Sequence, residues 1–125
     1  MQTPVTNPLK PPPNHRLRAG ALLVGGVINV AGTLFILFAM PGEASADRIA
    51  AAWALVQFLS GVWAGVLGAN TPLMHGLTVG LPALVLGLVI PSPLPAQVVV
   101  VTYALAPAAA LVAAALMRFM RKRGP

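Results

Sequence analysis

Residues 49–117 read IAAAWALVQFLSGVWAGVLGANTPLMHGLTVGLPALVLGLVIPSPLPAQVVVVTYALAPAAALVAAALM, from Ile49 to Met117. These sixty-nine residues contain no Asp, Glu, Lys or Arg. A domain folded in water carries roughly 25% charged residues, spread over its surface. A run this long without one indicates a chain dissolved in lipid. Upstream, Ala19 to Gly42 forms a second uncharged run.

Helix breakers and charges divide the two runs into four segments. The first spans about Ala19 to Met40 and ends at Pro41-Gly42. The second spans about Arg48 to Ala69 and ends at Asn70-Thr71-Pro72. The third, the shortest, spans about Leu73 to Ile90 and ends at Pro91-Ser92-Pro93, and the fourth spans about Ala96 to Met117. A hydrocarbon core about 30 Å thick needs roughly 20 helical residues, whereas a membrane strand needs about 10. The predicted fold is therefore all-α: a four-helix transmembrane bundle over 19–117, between a Pro-rich tail (1–18) and a basic tail (118–125). Pro82 and Pro107 fall near the middles of their spans and should kink them.

The cations lie where lipid headgroups would meet them. Lys10, Arg16 and Arg18 precede the first span, and Arg118, Arg121, Lys122 and Arg123 follow the last; only Arg48 lies between. The net charge of +6 thus sits on the flanks of apolar spans, which fits an anionic membrane surface better than nucleic acid. By the positive-inside rule both termini face the cytoplasm, and four spans, an even number, satisfy this. The expected location is the bacterial cytoplasmic membrane. Ala44-Ser45-Ala46 matches a signal-peptidase site, so removal of the first span is an alternative, although its apolar run exceeds the 7–15 residues usual in a signal peptide.

Candidate functional residues are few. Asn29, Gln57, Thr78 and Thr102 are polar groups within the spans, with Thr33 and Ser60 on the same faces as Asn29 and Gln57. Gly25, Gly32, Gly61, Gly65, Gly76 and Gly80 are candidate helix-packing positions; Gly61/Gly65 and Gly76/Gly80 each have G-x-x-x-G spacing. Apolar helices gain little by associating in lipid, so contact relies on close backbone approach and on hydrogen bonds from Asn, Gln, Ser or Thr. One reading makes these residues the ties of the bundle; the other makes Asn29, Gln57, Thr78 and Thr102 the lining of a path for a neutral or hydrophobic solute. His75 reads as an interfacial anchor or cap, or as an axial metal ligand without a second intramembrane histidine to complete a pair. Trp53 is expected at the outer headgroup level and Trp63 deeper, against a neighbour.

Catalysis is not expected. At mid-membrane the spans hold no carboxylate or cation of the kind on which proton and ion pathways depend, and the sequence shows no nucleophile–base pair or phosphate loop. Without cysteine there is no thiolate chemistry, and no metal or cofactor is predicted.

Around the second and third spans the chain reads Ser60-Gly61-Val62-Trp63-Ala64-Gly65 and His75-Gly76-Leu77-Thr78-Val79-Gly80. With four spans and basic ends, it resembles the small, uncharacterised four-helix integral membrane proteins of bacteria. The resemblance rests on architecture and glycine spacing and carries no activity. The small multidrug exporters also have four short helices, but they depend on a Glu in the first, where this chain has Asn29. The expectation is a non-enzymatic structural or accessory protein with the lipid bilayer as its medium, forming a homo-oligomer or joining a larger membrane complex. The alternative is a small oligomeric transporter or pore.

Overall fold

The computed structural model describes residues 17–39, 45–90 and 94–123, and among them there is helix but no strand. The helices are α1 (Ala19–Ala39), α2 (Ala46–Leu67), α3 (Pro72–Val79), α4 (Leu81–Val89), α5 (Ala96–Tyr103) and α6 (Leu105–Arg123). α3 and α4 together make one apolar stretch, as do α5 and α6, giving four helical segments long and apolar enough to cross a membrane. The Pro-rich tail through Arg16, the Pro41-Gly42 and Pro91-Ser92-Pro93 breakers and Ala44 of the processing motif lie outside the described residues.

The local signals explain most of the boundaries. Ser45 caps α2, its hydroxyl accepting from the Arg48 N–H, and Asp47 sits in the first turn, where the helix dipole favours an acid. Pro72 opens α3 at a position where its missing N–H costs nothing. The third segment breaks at Gly80, two residues before Pro82, and the fourth at Ala104, three before Pro107. A proline removes one helical donor and crowds the preceding turn, so each helix yields just upstream of its ring. α6 continues beyond the apolar span, through Arg118 to Arg123. Arg and Lys are good helix formers, and no breaker intervenes before Gly124.

The segments alternate in direction. At one end, the Arg18 backbone N–H donates to His75 near the start of α3, and the Arg118 guanidinium donates to the Ala69 carbonyl in the α2–α3 turn. At the other end, Ile36, Ile49, Trp53, Ala83, Leu94 and Val99 form an apolar cluster. α2 is central, packed against α1, α3, α5 and α6. A Cβ on Gly61 or Gly65 would collide with the backbone of Ala106 or Ala110, so α2 and α6 touch main chain to main chain. Ala106, Ala109, Ala110, Ala113 and Ala114 present the matching small face on α6.

Trp63 departs from the expectation that it packs against a neighbour. Trp53 is fully buried, against Gly87 and Val99, while Trp63 is 47% exposed. Face decides this rather than depth: Trp53 shares the inward stripe of α2 with Ile49, Gln57, Ser60 and Ala64, and Trp63 falls off it.

Candidate functional site

The break in the third segment exposes backbone polar groups at mid-height of the bundle, and side chains from the other three segments close on it. Asn29 stands ten residues into α1, roughly 15 Å from its start at 1.5 Å per residue. Its Oδ1 accepts from the Ala83 backbone N–H at 2.8 Å. Its Nδ2 donates to Gln57 Oε1 and to Ser60 Oγ, each at 3.0 Å. Gln57 Nε2 in turn donates to the Gly80 carbonyl at 3.2 Å. The Ser60 hydroxyl donates within α2, toward the Val56 and Gln57 carbonyls at 2.9 and 3.0 Å. From α5, the Tyr103 hydroxyl donates to the Leu77 carbonyl at 2.6 Å. The arrangement requires glycine at position 80: a Cβ there would stand 2.9 Å from Gln57 Oε1 and 3.0 Å from the Tyr103 ring.

Asn29, Gln57 and Ser60 are fully buried. Both N–H groups of the Asn29 amide and its carbonyl oxygen are engaged, so the amide orientation follows from its partners: only the oxygen can accept from Ala83 N–H. A buried polar network is favourable only when its members are satisfied, and a Pro-broken helix in an apolar medium needs neighbours to supply the missing partners. Chemically the cluster is neutral: it sets no base beside the Ser60 hydroxyl, and its one titratable group is the phenol.

The four sequence-predicted polar residues do not converge. Asn29 and Gln57 come together. The Thr78 hydroxyl, half-buried, donates to its own helix at Met74, 2.8 Å away, and the buried Thr102 hydroxyl donates to Val99 at 2.9 Å. The six glycines all lie at interhelical contacts: Gly25 meets Val79, Gly32 meets Val56, Gly61 and Gly65 meet α6, and Gly76 meets the backbone at Pro107. Ser60 and Tyr103 complete the cluster and were not singled out as a pair with Asn29. The Gln57/Ser60 spacing of three placed Ser60 on the right face, but nothing in the sequence pointed Tyr103 at Leu77.

His75 is a second polar centre, and it is buried rather than solvated. Its Nε2 accepts the Arg18 backbone N–H at 2.8 Å, and its Nδ1 lies 2.8 Å from the Thr71 carbonyl oxygen. An amide N–H can only donate and a carbonyl can only accept, so the proton sits on Nδ1. The ring thereby caps the start of α1 from α3, and Gly68 leaves room for it: a Cβ there would stand 2.5 Å from the imidazole. Both ring nitrogens are engaged, leaving neither for a metal, and among the described residues no three His, Cys, Asp or Glu side chains gather.

The buried Thr33 hydroxyl and Trp53 indole nitrogen have no hydrogen-bond partner among the described residues. On the outside, α1 carries a shallow depression of about 490 Å³ along Leu23, Gly26, Val27, Val30 and Leu34. Gly26 has open space where a Cβ would be. Comparison with protein-family models, curated proteins and solved structures gave no match.

Proposed function

We propose that this chain is an integral protein of the bacterial cytoplasmic membrane, both termini cytoplasmic, and that it acts as a non-enzymatic structural or accessory component. It works as a homo-oligomer or as a subunit of a larger membrane complex. Lipid as the surrounding medium is supported by the outer surface: Phe38 is 74% exposed, Val89 72% and Val101 69%, among many large apolar side chains that water would drive to aggregate. The shared compartment of the termini is supported by Arg18, Arg118 and Arg121 meeting at one end of the bundle.

The observation that carries the non-enzymatic, non-conducting reading is the closure of the Asn29 cluster. The amides available at mid-height bond to one another and to the broken backbone of α3 and α4, and the two threonines bond to their own helices. Polar groups that would line a solute path are thus already committed to holding the bundle. An outward association surface is supported by Gly26, a glycine that serves no contact inside the bundle. Crosslinking in native membranes and purification in mild detergent test the proposal. The expected result is a discrete oligomer or partner complex that Gly26→Leu disrupts. A strictly monomeric, partner-free species, or solute flux that disappears when Asn29 and Gln57 become Leu without unfolding, contradicts it.

A further inference from the structure

At one end of the bundle, three arginines from two separate parts of the chain line a single cleft. Arg18, just before α1, and Arg118 and Arg121, in the last turns of α6, line a cleft of about 280 Å³ with Val66, Leu67 and Ala69 of the α2 end. Arg118 is held by its bond to the Ala69 carbonyl. Among the described residues no carboxylate lies beside these arginines: Asp47, the one acid there, lies at the start of α2, roughly 28 Å of helix away. Three arginines lining one cleft, with no acid beside them among the described residues, suit the charge and hydrogen-bonding needs of a phosphate group.

A second feature distinguishes a lipid phosphate from a free one. A groove of about 270 Å³ runs between α2 and α6, lined by Phe58, Val62, Leu105, Val112 and Leu116. Val62 borders this groove and Val66, one turn further along α2, borders the arginine cleft. A molecule with an anionic head and an apolar chain fits both. We propose that the cleft binds the phosphate of an anionic phospholipid, with an acyl chain lying in the α2–α6 groove. The inference rests on the membrane reading above and adds a specific lipid site to it.

The test uses the full chain in phosphatidylcholine nanodiscs, into which phosphatidylglycerol is titrated while bound lipid is counted by native mass spectrometry. Arg118→Gln and Arg121→Gln should each weaken retention of phosphatidylglycerol about fivefold, and Arg18→Gln similarly. Lys122→Gln, which changes the same net charge outside the cleft, should leave retention nearly unchanged. Equal loss in Lys122→Gln means diffuse surface attraction and overturns the site. Inorganic phosphate that displaces the lipid at millimolar concentration overturns the choice of a lipid source. An apolar-groove variant, Val62→Trp, should lower retention while the arginines stay intact; unchanged retention overturns the chain placement. A protein that fails to enter the discs refutes the membrane reading, whereas one that enters and shows no preference for phosphatidylglycerol refutes the site alone.

Discussion

Replacing Asn29 by Leu keeps the side-chain volume and deletes three hydrogen bonds: to Gln57, to Ser60 and from the Ala83 N–H. Side-chain hydrogen bonds between membrane helices average about 0.6 kcal/mol and reach about 1.7. Three of them amount to about 2 kcal/mol. The Ala83 N–H loses its partner inside an apolar bundle, and an orphaned buried donor costs a further ~1–3 kcal/mol. The predicted loss is therefore about 3–5 kcal/mol. Reversible unfolding in mixed micelles, followed by circular dichroism against SDS mole fraction, reads it. Gln57→Leu, which loses the bonds to Asn29 and Gly80, should cost about 1–2 kcal/mol by the same accounting. Because the two residues share a bond, the double variant should be less destabilised than the sum of the singles, by about 0.5–1.5 kcal/mol. A loss for Asn29→Leu under about 0.5 kcal/mol, or strict additivity, would refute the cluster as the tie across the helix break.

Gly65→Ala places a methyl 2.6 Å from the Ala110 Cα and should destabilise the bundle by about 1–3 kcal/mol, whereas Gly26→Ala meets nothing and should be neutral or slightly stabilising in the same micelle titration. Thr33→Val removes a buried hydroxyl that has no partner and should raise stability by about 1 kcal/mol; a loss of that size would show that the hydroxyl is satisfied. His75→Leu deletes the cap on α1, and hydrogen exchange should accelerate at the Arg18 amide by tenfold or more while the Ala83 amide stays protected.

The four apolar segments were legible because the signal is the absence of charge, which no tertiary contact can mimic. The breaks were legible at Pro82 and Pro107 because proline geometry acts locally. The inward face of α2 was also present in the sequence, in the spacing of Ile49, Trp53, Gln57, Ser60 and Ala64. Reading Trp53 by depth alone did not show that it faces inward. What the sequence did not contain is partner identity. A proline says that a neighbouring backbone group lacks its bond, but not that Asn29 and Gln57 supply it or that Tyr103 reaches Leu77. The same holds for His75: a histidine near a span end is cheaply solvated, and only the approach of α1 to α3 turns it into a buried cap. Thr78 and Thr102 resemble Asn29 in polarity, yet a hydroxyl can bond its own helix at i−3 or i−4, while an amide side chain reaches across to a neighbour.

Topology in living cells tests the central claim most directly. Fusing a reporter active only in the cytoplasm, and separately one active only outside it, to each end of the intact chain should place both extremities on the cytoplasmic side, with the protein recovered in the membrane fraction after carbonate washing. Ends on opposite sides, or protein released into the wash, would contradict a bundle of four membrane crossings closed around Asn29.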